Sequence, residues 1–307
     1  PRLISRAPLS GPVKGDTLLT LQGEDLSNGS HYLCRCEDAD LPASFVEPSN
    51  VMCTMPSRMG CDEFGRCTPQ PGHVSCMVTL NGQQYTGKVA YRYHGVPQAS
   101  AVRPACGPLD GDTTIFVSGS GFANGTHYEC KIDHHRVNAT ANFDSGAESL
   151  TCVVPTGRAL AIGSAPLAIS LNGQQFTRDS LNFHVYPPPR IRNMRPSFGP
   201  VSGGTTVAIE LYDASDGCDY WCAFDGRRTP CVQAHGELHA VVPPSHGDMS
   251  AVRVSLNGQQ FSASFAFRLH PAPRVISISP SVGPVAGSTV ISVEGTNFQN
   301  TSQLSCQ

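Results

Sequence analysis

Thr79-Leu80-Asn81-Gly82-Gln83-Gln84-Tyr85 returns as Ser170-Leu171-Asn172-Gly173-Gln174-Gln175-Phe176 and again as Ser255-Leu256-Asn257-Gly258-Gln259-Gln260-Phe261. Upstream of each copy the apolar residues alternate: Cys76, Val78, Leu80; Leu167, Ile169, Leu171; Val252, Val254, Leu256. Alternation at period 2 running into Asn-Gly is the signature of a strand, a tight turn and a returning strand. The pair predicts a type I′ turn, which needs φ > 0 at both central residues. The copies stand 91 and then 85 residues apart, so the chain is an array of units of about that size.

Composition narrows the class. Thirty glycines, 25 prolines and many short Val/Ile/Thr/Phe runs among 307 residues argue an all-β fold. The formal net charge is −3, and the lysines are only Lys14, Lys88 and Lys131, so no basic stripe exists to displace counterions from a phosphate backbone. Nucleic acid is therefore excluded as a partner. No apolar run approaches the roughly 18 residues of a membrane span, so no membrane contact is expected from this segment. Residue 1 already falls inside a unit, which leads us to expect a longer parent chain.

Each unit opens on turn chemistry: Gly11-Pro12-Val13-Lys14-Gly15-Asp16-Thr17, Gly107-Pro108-Leu109-Asp110-Gly111-Asp112-Thr113, Gly199-Pro200-Val201-Ser202-Gly203-Gly204-Thr205 and Gly283-Pro284-Val285-Ala286-Gly287-Ser288-Thr289. A strand follows each time. A loop then aligns without gaps: Asn28 to Cys34, Asn124 to Cys130, Asp216 to Cys222 and Asn300 to Cys306. Short Pro-rich joints, such as Gly95-Val96-Pro97 and Tyr186-Pro187-Pro188-Pro189, separate the units. The expected domains are 1–95, 96–187, 188–270 and a truncated fourth at 271–307. Joints of this kind restrict φ, so an elongated, semi-rigid rod is expected.

The opening Pro-x-x-Gly-Pro-x-x-Gly-x-Thr resembles the immunoglobulin-like, plexin and transcription-factor (IPT/TIG) repeat. So do the strands entering Gly119-Ser120-Gly121-Phe122 or Glu294-Gly295-Thr296-Asn297-Phe298. The cysteine on the next strand and the cysteine three residues before a proline add to the likeness, which covers essentially the whole chain. The resemblance implies tandem immunoglobulin-like β-sandwiches of about seven strands, as in fibrocystin-like or plexin-like surface proteins. It does not by itself imply a function, since the family also occurs in starch-acting enzymes and Rel-type transcription factors.

Alignment of the repeats sets Cys34 beside Cys130, Cys222 and Cys306, and Cys53 beside Cys152. The pairs Cys34/Cys53 and Cys130/Cys152 follow, each closing about 20 residues. Ala240 stands where a third such cysteine would be. There the choice is Cys222/Cys231, leaving Cys218 free, or Cys218/Cys231. Cys61/Cys67 is the local loop of an insertion in the first unit, and the pairing of Cys36, Cys76 and Cys106 stays open. A zinc knuckle needs Cys-x2-Cys spacing twice, which is absent. Thirteen cysteines with Asn-x-Ser/Thr sequons at Asn28, Asn124, Asn138 and Asn300 place the chain outside the cell or at its surface.

Three of those sequons share one aligned position, so N-linked glycans would line one side. The third unit lacks the sequon there and carries Cys218 instead. Trp221, the only Trp, reads as outward-facing next to it, which makes Trp221 and Cys218 the candidate partner-contact residues. His94, His184 and His270 recur one per unit beside joints, as duplication would give, and no nucleophile elbow, zincin motif or phosphate loop is present. No enzymatic activity, cofactor or metal is expected. The expected role is a structural or adhesive shaft, or a subunit of a surface filament, with other proteins or further repeats as partners. The alternative is a receptor ectodomain segment that binds a protein ligand.

Overall fold

A computed structural model describes residues 1–143, 148–156, 160–178, 181–213 and 216–298. It contains strands and no helix among the described residues, in two compact units, Pro1–Tyr186 and Pro187–Gln307.

The first unit holds two sandwiches. The strands of the first are β1 (Arg2–Ala7), β2 (Ser10–Pro12), β3 (Leu18–Glu24), β4 (Leu33–Cys36), β5 (Ala39–Val46), β6 (Asn50–Thr54), β7 (Met59–Cys61), β8 (Cys67–Pro69), β9 (Gly72–Thr79) and β10 (Tyr85–His94). The second has β11 (Gln98–Arg103), β12 (Cys106–Pro108), β13 (Thr114–Ser120), β14 (Glu129–Ile132), β15 (His135–Asn138), β16 (Thr140–Asn142), β17 (Glu148–Val153), β18 (Gly163–Ser170) and β19 (Leu181–Tyr186).

In the second sandwich one sheet runs β11-β13-β17-β16 and the other β12-β19-β18-β14-β15. The first repeats this order, except that the counterpart of β15 and β16 is the single strand β5. Its first half pairs with β4 and its second half with β6, so one strand turns the corner between layers. The alternation read from sequence supplies the core: Leu19, Leu21, Val51, Val74, Val78 and Tyr91 are buried in the first sandwich, and Ile115, Val117, Leu150, Leu167, Ile169 and Phe183 in the second.

The opening motif has a packing reason. A Cβ on Gly107 would strike the Thr113 hydroxyl and the Phe183 ring, and one on Gly199 would strike Thr205 and Phe267. Glycine, the threonine six residues on and an aromatic of the last strand therefore close the sandwich edge together.

The second unit begins with a third sandwich: β20 (Ile191–Arg195), β21 (Phe198–Pro200), β22 (Thr206–Leu211), β23 (Trp221–Phe224), β24 (Arg227–Pro230), β25 (Val232–Ala234), β26 (Glu237–Val241), β27 (Met249–Ser255) and β28 (Phe265–His270). Its sheets, β20-β22-β26-β25 and β21-β28-β27-β23-β24, match those of the second sandwich strand for strand. Beyond it, β29 (Arg274–Ser279) pairs with β30 (Ser292–Thr296). Val285 and Ile291 stand exposed there, whereas their counterparts Val13 and Leu19 are buried.

Candidate functional site

The recurring Asn-Gly hairpin differs from the turn expected. Gly82, Gly173 and Gly258 have φ of 74°, 73° and 74°, but the preceding asparagines are not among the positive-φ residues, so the turn is not type I′. Thr79 pairs with Tyr85, which leaves a five-residue loop. The asparagine side chain closes it: Asn172 Oδ1 accepts from the backbone N–H of Gln174 at 3.1 Å and of Gln175 at 3.2 Å. Asn81 does the same at 3.0 and 3.2 Å, and Asn257 at 3.1 and 3.2 Å. An Asx-type bond thus replaces backbone turn chemistry.

The hairpin lies beside the aligned loop. The N–H of His31 donates to Leu80 O at 2.9 Å, and those of His127 and Asp219 donate to Leu171 O and Leu256 O at 3.0 Å each. A Cβ on Gly173 would lie 2.5 Å from His127 Cδ2, so glycine is needed there for close approach as well as for φ. A tyrosine ties the aligned loop down. Tyr128 OH accepts from Gly125 N–H and donates to Phe122 O, both at 3.0 Å, and Tyr32 does likewise with Gly29 and Leu26.

Sequence reasoning missed what these hairpins touch. β1 last pairs with β3 at Ala7↔Thr20, and after Pro8 the chain crosses to the other sheet as β2, beside β10. The edge of β3 at Leu18 is therefore left without a strand neighbour on that side, because proline cannot continue the ladder. The hairpin of the second repeat fills that gap. Leu18 N–H donates to Gln174 Oε1 at 2.8 Å, and Gln174 Nε2 donates to Leu18 O at 3.0 Å. The side-chain amide thus presents one donor and one acceptor, as a strand residue would.

Gln175 Nε2 donates to Asp16 O at 2.7 Å and its Oε1 accepts from the Thr17 hydroxyl at 3.0 Å, while Asn172 Nδ2 reaches Thr17 Oγ1 at 3.3 Å. Thr126 Oγ1, from the sequon of the aligned loop, meets Ser10 Oγ at 3.0 Å. Two cavities flank this latch, of about 490 Å³ and 390 Å³. His94 lines the larger one. It is 4% exposed. Its Nδ1 bonds Gly95 O at 2.7 Å, which places the proton on Nδ1 and leaves the buried Nε2 as an acceptor with no partner among the described residues. Burial holds its pKa below the ordinary value, against the opposing bond to Gly95.

A second recurring contact also escaped the sequence. The aromatic that ends each hairpin carries a guanidinium over its face: Arg35 on Tyr85 at 3.9 Å, Arg136 on Phe176 at 4.8 Å and Arg228 on Phe261 at 5.0 Å.

The cysteines are placed as follows. Cys34–Cys53 and Cys130–Cys152 bridge the two sheets of their sandwiches. Cys36–Cys76 joins residues directly opposite on β4 and β9, and Cys61–Cys67 closes the small β7–β8 hairpin. Cys222 bonds Cys231, at the corner between β24 and β25. Cys106 and Cys218 are also disulfide-bonded, so of the two alternatives for the third unit Cys222/Cys231 holds, without leaving Cys218 as a free thiol.

Asn28 and Asn124 are exposed and left-handed, at φ 62° and 69°, and Asn138 is exposed at the end of β15. Asn300 and Cys306 lie outside the described residues. Trp221 is half-buried and not outward-exposed as expected: its Nε1 donates to Asp219 Oδ1 at 3.0 Å and its ring edge lies against Gly258. Among the described residues, no cluster of three or more His, Cys, Asp or Glu side chains is placed to hold a metal ion, and no helix is long and apolar enough to cross a membrane.

A family model described as IPT/TIG domain matches residues 1–93, 97–185 and 273–307, more than half of the chain. The chain belongs to the IPT/TIG domain family. The third repeat falls outside the matched stretches, yet its sheets have the strand order of the second IPT repeat. Plexin-A3 of Homo sapiens is 23% identical over 216 residues, covering 68% of this chain and 11% of the relative. Fibrocystin-L of Mus musculus is 26% identical over 321 residues, covering 99% of this chain and 7% of the relative. The chain therefore spans only a small part of these relatives. Among solved structures, a plexin A4 chain described as the full extracellular region is 17% identical, with a TM-score of 0.47, over 94% of this chain and 26% of that one.

Proposed function

We propose that this segment belongs to the extracellular part of a cell-surface protein, where its IPT repeats act as a spacing and adhesive shaft through protein–protein contacts and catalyse no reaction. The observation that carries this reading is the set of disulfides within single repeats, two of them bridging sheets through the core. Such bonds persist in oxidising compartments. N-linked glycans at Asn28, Asn124 and Asn138 complete the reading, since these side chains stand clear of the sandwiches. The glycan-free aligned loop of the third repeat, with Trp221 at its edge, is the contact surface in this account. Unchanged partner binding by Trp221→Ser would remove that assignment.

Expression in animal cells behind a secretory leader tests the location. The account expects secretion, no free thiol among residues 1–298, and a mass loss on treatment with an N-glycosidase. A protein that folds only in the reduced cytosol would overturn it. A second reading, a receptor segment that binds a protein ligand, draws on the likeness to plexin-A3 over 68% of the chain. Saturable binding of one secreted protein to the purified segment would favour it over the shaft.

A further inference from the structure

The hairpin of the first repeat has the internal geometry of the second but no strand edge across from it among the described residues. Asn81 and Asn172 hold the backbone N–H groups of their two glutamines at matching distances, 3.0 and 3.2 Å against 3.1 and 3.2 Å. The environments differ at two of the three positions: Asn172 is 4% exposed and Gln175 half-buried, while Asn81 and Gln84 are exposed; Gln83 and Gln174 are both exposed. The Gln83 side-chain amide has no hydrogen-bond partner among the described residues, whereas its counterpart Gln174 bonds both backbone groups of Leu18.

We propose that Asn81-Gly82-Gln83-Gln84 is a docking head for the opening strand of another IPT repeat, held ahead of Pro1 by a short joint. The partner's chemistry is set by the latch already formed in this molecule. It must offer an open strand edge after a Gly-x-Thr turn, a buried threonine hydroxyl and a backbone carbonyl before it, as Asp16, Thr17 and Leu18 do. Gln83 takes the edge residue, Gln84 takes the carbonyl and hydroxyl, and Asn81 supports the hydroxyl.

Tethering is part of the proposal. A handful of polar contacts at an exposed edge does not offset the association cost of a free partner, but a joint of three residues raises the effective concentration to the order of millimolar. The joints are interchangeable in register: Pro273-Arg274, which follows the third repeat, matches Pro1-Arg2. The inference rests on the latch geometry and not on the proposed function.

The test is the full chain with one added copy of residues 188–272 ahead of Pro1, which presents Gly204-Thr205-Thr206 to the first hairpin. Exposed glutamines are labelled with a fluorescent primary amine by a transglutaminase and mapped by mass spectrometry, with Gln175, half-buried in the latch, as the docked reference. In the unextended chain Gln84 should label readily and Gln175 should not. Extension should cut labelling of Gln84 by about tenfold or more, the docked fraction then being about nine-tenths. Thr205→Val in the added copy alone should restore part of it. Unchanged labelling on extension overturns the proposal, as does a head that resists labelling in the unextended chain at every concentration. Protection in the unextended chain that disappears on dilution also overturns it, since the occupant is then a second copy.

Discussion

Gln174 hydrogen-bonds both backbone groups of Leu18, at 2.8 and 3.0 Å, across 156 residues of chain. A turn residue of the second repeat thereby completes the strand edge of the first. The Pro-rich joint restricts the chain between them, and the latch fixes their contact.

Replacing both glutamines, Gln174→Ala with Gln175→Ala, removes four hydrogen bonds to the first repeat. The freed groups near Leu18 can reach water, so each bond counts at its net value of about 1 kcal/mol or less. Calorimetry should show the two sandwiches of the first unit melting less cooperatively, with the core of each intact.

Asn172→Ala should cost more than Asn81→Ala. Both lose the turn-closing bonds and the bond to the second glutamine's Oε1, but Asn172 is buried and also bonds Thr17 Oγ1 at 3.3 Å. Leaving such groups unpaired costs about 1–3 kcal/mol, against about 1 kcal/mol for the exposed copy. Thermal melts of the two variants give the comparison.

Gly173→Ala meets two obstacles, φ of 73° and His127 Cδ2 at 2.5 Å from the new Cβ. The left-handed backbone alone costs about 1–2 kcal/mol. Adding His127→Ala should recover the steric part and leave the backbone part, which a double-mutant cycle reads directly.

Removing Cys130–Cys152, which closes a separation of 22 residues, should cost about 3 kcal/mol and lower the melting temperature of the second sandwich by about 12 °C or more. The third repeat has no such bridge and carries buried Ala240 at that place. Reductant should therefore soften the second repeat's sheet contact more than the third's, whose Cys222–Cys231 closes the corner between β24 and β25, as limited proteolysis would report.

His94 predicts an acid-sensitive joint. Its folded pKa lies below the unfolded value of about 6.5, so the unfolded state binds more protons in that window. Its stabilising contribution is complete above the unfolded pKa and is lost as pH falls below it. Lys14, Asp16 and Arg178 also line the cavity, and Arg92 lowers the pKa further. His94→Gln should flatten the pH dependence of the first unit's melting between pH 7 and 5.

The alternation of Leu167, Ile169 and Leu171 carried the sheets, because strand faces depend on nearest neighbours in sequence. The turn type was not legible in the same way. Asn-Gly favours type I′ locally, but Asn172 Oδ1 captures two backbone N–H groups and keeps the asparagine out of the left-handed region. The latch was invisible because its acceptor edge arises only when β1 ends at Ala7 and the chain changes sheets. Trp221 shows a related gap: alternation assigns it a face but cannot show that its Nε1 bonds Asp219 and leaves it only half exposed.

Hydrogen exchange at the Leu18 amide tests the latch most directly. That N–H faces away from β6 and donates to Gln174 Oε1. In the full chain it should exchange slowly. In the Gln174→Ala, Gln175→Ala variant it should exchange about tenfold faster or more, while Leu19 and Leu21 keep their protection. An unchanged rate at Leu18 in that variant would contradict the claim that the hairpin of one IPT repeat completes the strand edge of its neighbour.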